Sequence, residues 1–143
     1  MALVNFYLIT LASVAHTNII QSMRTTQRKG DITVSQAIAT FTRRGYDVFL
    51  PLTESASYDL IIDIGKKLKR IQVRFTSIEG VDLRNIHSNS KGYVVKKPKA
   101  NDYDWLYIFK KDGEEYLLKK CLSGRRYFKP RIEDIINKAL VSK

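Results

Sequence analysis

Cysteine is nearly absent: the 143-residue chain has one, Cys121. A lone thiol excludes an internal disulfide and any cysteine-held zinc cluster. It stands between Lys120 and Leu122 at an expected strand end, the setting of a bystander rather than a nucleophile. Histidine is scarce too, and His16 and His87 lie far apart with no partner spacing. The chain has no Ser-His-Asp order, no glycine-rich phosphate loop and no metalloprotease helix. Acid is also in short supply. Against 25 Lys and Arg stand 14 Asp and Glu, a net charge of +11. Such a surplus on a small domain draws polyanions. Nucleic acid leads, because neutralising phosphates releases counterions; a merely soluble basic protein is the alternative. The cations do not gather on one amphipathic helix, which argues against a membrane partner.

Charge of either sign is missing from residues 1–22. A secretory signal would have an apolar run and small residues such as Ser13-Val14-Ala15, but also early positive charge, and none precedes Arg24. A membrane span needs about 20 continuous apolar residues, and Asn5, His16 and Asn18 interrupt this stretch. The expectation is an N-terminal extension of unknown role over 1–22, a core domain over 23–143 opening at Met23, and a cytoplasmic product.

What is present suits one globular domain, with 44% apolar and 27% charged residues. The spacing predicts an amphipathic helix over Ile32–Arg44, stopped by Gly45. Strands are predicted over Tyr46–Leu50, Tyr58–Ile64 and Leu68–Thr76, the last two joined by the short turn Gly65-Lys66-Lys67 as an antiparallel hairpin. A polar loop follows over Ser77–Gly92. Further strands are expected over Tyr93–Lys96, Asp104–Lys110 and Glu115–Lys119, the last two flanking the Asp112-Gly113 turn. A closing helix is predicted over Arg131–Val141, with Ile132, Ile135, Ile136 and Leu140 as its apolar stripe. This order implies an α/β or α+β layer with a mixed sheet.

Side chains alternate faces along a strand. Asp59, Ile61 and Asp63 therefore share one face of the second strand, and Gln72 and Arg74 one face of the third. A two-residue turn at Gly65-Lys66 sets Asp59 opposite Gln72; a shift of two sets it opposite Arg74. Leu60, Ile62, Ile71 and Val73 form core on the other side. A carboxylate in an apolar strand needs a cation or a metal. A structural Asp59–Arg74 ion pair and a reaction centre both meet that need.

The motifs Lys29-Gly30-Asp31, Arg44-Gly45-Tyr46-Asp47-Val48, Leu50-Pro51, Tyr58 to Asp63 and Ile71-Gln72-Val73-Arg74, in that order, resemble those of the PD-(D/E)XK endonucleases associated with group I introns. The resemblance runs from Lys29 to Thr76 and, more loosely, through the Asp104–Lys119 hairpin. It implies a restriction-endonuclease-like mixed central sheet flanked by helices, and a metal-dependent nuclease that leaves a 5′-phosphate and a 3′-hydroxyl. Asp59 matches the family's metal-binding strand acid. Gln72 stands where Glu is usual, though relatives with Gln exist, and the Val73 carbonyl is a further ligand by analogy. Arg74 stands where the family has its catalytic Lys. Oxygen ligands there imply Mg²⁺. The chain departs from the pattern in three ways. Gln72 is neutral. Arg74 neutralises phosphate but cannot shuttle a proton. The family's helix acid falls near Val34, which binds no metal. Asp31, one turn earlier, is the candidate replacement, with helix N-terminal stabilisation as its alternative explanation.

The expected partner is double-stranded DNA. Lys66, Lys67, Lys69 and Arg70 rim the hairpin that bears Asp59. In the basic segment Ser77–Lys99, Arg84, Asn85, Asn89 and Ser90 are candidates for reading bases, and Lys91, Lys96, Lys97 and Lys99 for phosphate. A chain this small covers few base pairs, so a dimer or tetramer is expected, with residues 103–109 or the last helix as contacts. The alternatives are a non-catalytic DNA-binding module of the same fold, a Holliday-junction resolvase-like enzyme, or an RNA-binding splicing helper.

Overall fold

The protein, a computed structural model, is described over residues 25–138. The stretch 1–22 and the expected core start at Met23 lie outside this range. The chain divides into two compact units, Met1–Asp31 and Ile32–Lys143. The described part of the first is the opening of helix α1, Thr25–Arg43, where residues 27–31 are exposed. The helix thus begins before the predicted Ile32. Gly30 lies inside it, at a cost of about 1 kcal/mol relative to Ala. No helix among the described residues is long and apolar enough to cross a membrane.

In the second unit, α1 ends as predicted at Gly45, whose φ is +80°. The Gly45 N–H donates to Thr42 and the Tyr46 N–H to Phe41, at 2.9 and 3.1 Å. These two bonds are a Schellman cap, and the Phe41 and Tyr46 rings, 6.4 Å apart, supply its apolar contact. Strands follow as β1 (Asp47–Phe49), β2 (Leu60–Asp63), β3 (Leu68–Thr76), β4 (Val81–Asp82), β5 (Asn85–Asn89), β6 (Gly92–Lys96), β7 (Trp105–Lys110), β8 (Glu115–Leu118), β9 (Tyr127–Phe128) and β10 (Ile135–Asn137). The main sheet has the order β1-β2-β3-β7-β8-β10. It is mixed: β3 and β7 run parallel and the other neighbours antiparallel. A parallel pair requires a crossover, here the segment 77–104, which carries β4 and the separate β5–β6 ribbon.

Apolar side chains cover both faces of this sheet. Toward α1 lie Leu60, Ile62, Ile71, Val73 and Tyr107, packed with Ala37 and Phe41. On the opposite face Leu106, Ile108, Tyr116 and Leu118 pack with Val81, Leu83, Tyr103 and Leu122. Each such side chain contributes roughly 1.5–3 kcal/mol when fully buried. One carboxylate is sunk among them. Glu115, 3% exposed, accepts from Gln36 Nε2 at 2.8 Å, Thr40 Oγ1 at 2.6 Å and Tyr107 Oη at 2.8 Å. Burial first, then the Glu115 carboxylate, pushes the Tyr107 hydroxyl far above its ordinary pKa.

Three expectations are corrected. The loop over 77–92 contains β4 and β5: β4 pairs with β9, and β5 with β6. The closing helix is instead a 3₁₀ turn, Ile132–Asp134, followed by edge strand β10 on β8. The open edge of β8 takes the β-branched pair Ile135-Ile136, and Ile132 is left exposed. Residues 139–141 of the expected helix lie outside the described range. That helix therefore offers no contact between subunits. Of residues 103–109, Tyr103, Leu106, Tyr107 and Ile108 are buried within the chain, while Asp104, Trp105 and Phe109 are partly exposed.

Candidate active site and DNA-facing surface

The β2–β3 turn fixes the site. Ile64 and Lys67 exchange backbone hydrogen bonds at 2.9 and 3.3 Å, and both central residues have positive φ, +57° at Gly65 and +72° at Lys66. This is a type I′ hairpin, whose twist matches that of the strands. Its register pairs Leu60 with Ile71 and, just past the end of β2, brings the Asp59 side chain onto Gln72, as the first of the two predicted alignments requires. The Asp59 N–H donates to Ile71 O at 2.9 Å. N–H and C=O of one strand residue point to the same edge, and residues two apart share it. Val73 therefore turns both its N–H and its carbonyl toward Asp59, past the end of β2. Asp59 Oδ2 accepts from Val73 N at 2.7 Å and from Gln72 Nε2 at 2.5 Å.

On its other side Asp59 lines a cleft of about 360 Å³ with Val34, Pro51, Glu54 and Tyr58. Burial raises the pKa of its carboxyl, against the smaller lowering effects of the Val73 N–H and the Arg74 charge. Arg74 lies on the Gln72 face but forms no ion pair with Asp59, so the structural ion-pair reading does not hold. Its Nη2 donates to the Asn85 carboxamide oxygen and, at 3.5 Å, to Leu83 O. Burial lowers the guanidinium pKa. Asp31 is exposed in the interior of α1, three residues before Val34, so helix N-terminal stabilisation does not explain it.

No group of three or more His, Cys, Asp or Glu side chains able to hold a metal occurs among the described residues. The carboxylate of Asp59 is the oxygen ligand that the geometry presents, and it brings a single negative charge. Gln72 meets it through Nε2, so turning that carboxamide over would be needed to add an amide oxygen, and with the Val73 carbonyl the set would be all oxygen, which fits a hard divalent cation.

The predicted basic residues divide by environment. Arg70 grips Asp104 through Nε and Nη2, both at 3.1 Å, and donates Nη1 to Asn101 O at 2.6 Å. Arg84 is paired with Asp82 across its own turn. Asn85 holds Arg74. Lys66, Lys67, Lys91, Lys96, Lys97 and Lys99 are exposed, as is Ser90, and Lys69 is half-buried. Asn89 is the last residue of β5. Sequence reading missed Asp104 as the partner of Arg70; the signal was its place at the start of the strand that pairs with β3.

A mixed six-stranded sheet with one α-helix among the described residues is the restriction-endonuclease architecture. The chain matches the PD-(D/E)XK endonuclease family model over residues 24–121 and belongs to that family. Nucleases of this family generally use divalent metal ions. A solved structure, that of the bacterial homing endonuclease I-Ssp6803I, shares the fold: the TM-score is 0.62 at 24% sequence identity, over 74% of this chain and 78% of that one. No curated protein matches the chain in sequence.

Proposed function

We propose that the chain is a Mg²⁺-dependent endonuclease that cuts double-stranded DNA at specific sites, in the homing manner of its structural neighbour. The observation that carries this is Asp59, fixed by Gln72 and the Val73 N–H on one side and open to a cleft on the other. Asp59 would hold the ion, joined by the Val73 carbonyl and by the Gln72 amide oxygen once that carboxamide turns over. When bound, the ion offsets charge on the scissile phosphate and makes a water acidic enough to attack. The chain's own residues do the rest. Gln72 and the Val73 N–H orient the carboxylate, and the always-charged Arg74 offsets phosphate charge. The exposed lysines of the 91–99 segment and of the β2–β3 turn hold the DNA backbone. Cutting both strands at one site takes a second copy of the chain.

The single negative charge at Asp59 favours a second reading, a non-catalytic DNA-binding module. Incubating purified protein with a randomised plasmid library and Mg²⁺ separates the two. Recurrent double-strand cuts, lost on chelation and in Asp59→Ala, support the nuclease. Tight binding without cutting supports the module, and preferential cutting of four-way junctions would move the assignment to a resolvase.

A further inference from the structure

Three arginines of the second unit present the side-on fork formed by Nε and Nη2. Two forks are filled by a two-oxygen partner: Arg70 by Asp104, and Arg84 by Asp82. The fork of Arg74 is half filled. Its Nη2 meets one carboxamide oxygen, that of Asn85, while Nε is buried and unpartnered. Among the described residues it is the one buried side-chain nitrogen or oxygen without a hydrogen bond. An orphan buried N–H is disfavoured, and a guanidinium fork matches a carboxylate or a phosphate, not an amide oxygen. Gln72, Arg74, Leu83, Asn85 and Tyr103 close around the fork with no room for a water molecule.

The partner on Nη2 belongs to a different piece of structure. Asn85 opens β5 and pairs with Lys96 of β6. These strands form a two-stranded sheet of their own, with Ile86, Tyr93 and Val95 at 58, 80 and 52% exposure. A two-stranded ribbon has little independent stability and shifts easily when something grips it. Residues 84–99 carry five cations and no acid, so the grip suits a phosphate backbone. Arg74 is thus anchored on the sheet at its Cα and on the ribbon at its tip.

We infer that Asn85 is a positioning residue: it parks the Arg74 fork until DNA engages the β5–β6 ribbon, and then releases it to a phosphodiester whose two oxygens fill Nε and Nη2 together. This rests on the reading of the chain as a DNA nuclease. Recognition on the ribbon would thereby be coupled to charge neutralisation at Asp59.

The test uses the full-length protein, with a duplex selected by binding from a randomised pool. Its first readout is the ¹⁵Nε–H resonance of Arg74, assigned by its loss in Arg74→Lys and followed in EDTA. Saturating DNA should shift this resonance and slow its exchange with water in the wild type. In Asn85→Asp, whose carboxylate fills both prongs, it should already be protected without DNA and change little on binding. The second readout is cleavage. Asn85→Asp should lower kcat by about 10-fold or more while DNA affinity stays within about 3-fold, and Asn85→Ala, which leaves the fork unparked, should cut mismatched sites more readily than the wild type. An Arg74 resonance unmoved by saturating DNA overturns the inference, as does an Asn85→Asp variant with wild-type resonance and kcat. Binding without cutting by the wild type overturns the proposed activity alone, and the resonance then decides the parking of Arg74. Failure to select any duplex overturns both.

Discussion

Gln72 Nε2 reaches Asp59 Oδ2 across the β2–β3 hairpin at 2.5 Å, on the same carboxylate oxygen that takes the Val73 N–H. Both donors thus load one oxygen and leave the other clear of hydrogen bonds from the described residues. The carboxylate is oriented by its neighbours and incompletely satisfied by them, the condition of a group built to take one more partner.

Replacing Asp59 separates chemistry from folding. Asp59→Asn keeps an acceptor for the Val73 N–H but removes the charge. Cleavage should fall by about 10³-fold, with DNA affinity measured in EDTA within a factor of about 2. Stability should move the other way. The folded-state pKa of Asp59 is raised, chiefly by burial. A raised carboxyl favours the folded state at low pH, and that advantage disappears as pH rises through the folded pKa. The Tm of Asp59→Asn should therefore exceed that of the wild type at neutral pH, by an amount equivalent to about 1 kcal/mol, with the gap closing in acid. A Tm gap that widens as pH falls would contradict this assignment.

Gln72→Glu places a second carboxylate against Asp59. Two like charges at that separation cannot both ionise easily without a cation. Without metal the variant should melt below the wild type at neutral pH and recover in acid. With Mg²⁺ the order should reverse, because two carboxylates hold a hard cation better than one. Thermal melts across a Mg²⁺ titration should show the half-saturating concentration falling by roughly 10-fold. A Tm that ignores Mg²⁺ in this variant would remove the ion from the site.

The Asp59–Gln72 alignment was legible in the sequence because turn length alone fixes register: two residues at Gly65-Lys66 force it. Strand β3 ran as predicted because Ile71, Val73 and Phe75 alternate with polar neighbours. The β5–β6 ribbon was not legible as a pair of strands. Strand β6 is exposed throughout and so shows no alternation to read, and the polar residues of β5 look like loop. The final segment misled for the opposite reason. Ile132, Ile135 and Ile136 fit a helical stripe, but two adjacent β-branched residues suit an open sheet edge equally, and only the position of β8 decides between them. Asn85 reads as a polar loop residue, while its bond to Arg74 depends on a crossover that local patterning does not encode.

Glu115 illustrates the same gap in the core. It reads as a strand-end acid, yet α1 brings Gln36 and Thr40 onto it and β7 adds Tyr107. Glu115→Ala leaves these donors buried without an acceptor and should cost about 3 kcal/mol. Tyr107→Phe removes one bond and should cost about 1 kcal/mol. Urea unfolding measures both. Cleavage per folded molecule should stay at the wild-type level in Tyr107→Phe, since none of this network touches Asp59.

The two kinds of basic residue should respond oppositely when removed. Lys97 is exposed on the acid-free segment that follows β6, so its positive charge is available to a phosphate. Lys97→Ala should reduce the slope of log affinity against log salt by about 1, weaken binding to all duplexes alike, and leave Tm within about 1 °C. Arg70 is already committed to Asp104 and Asn101, tying β3 to the segment that leads into β7. Asp104 draws the Arg70 pKa upward, but both side chains remain about one-third exposed, so solvent screening limits what the pair contributes. Arg70→Ala should cost about 1 kcal/mol of stability and leave the salt slope unchanged. Binding isotherms at several salt concentrations, run beside thermal melts, distinguish the two. A salt slope that falls for Arg70→Ala while Tm holds would mean that the guanidinium abandons Asp104 for DNA, and that the β3–β7 tie is part of the binding surface.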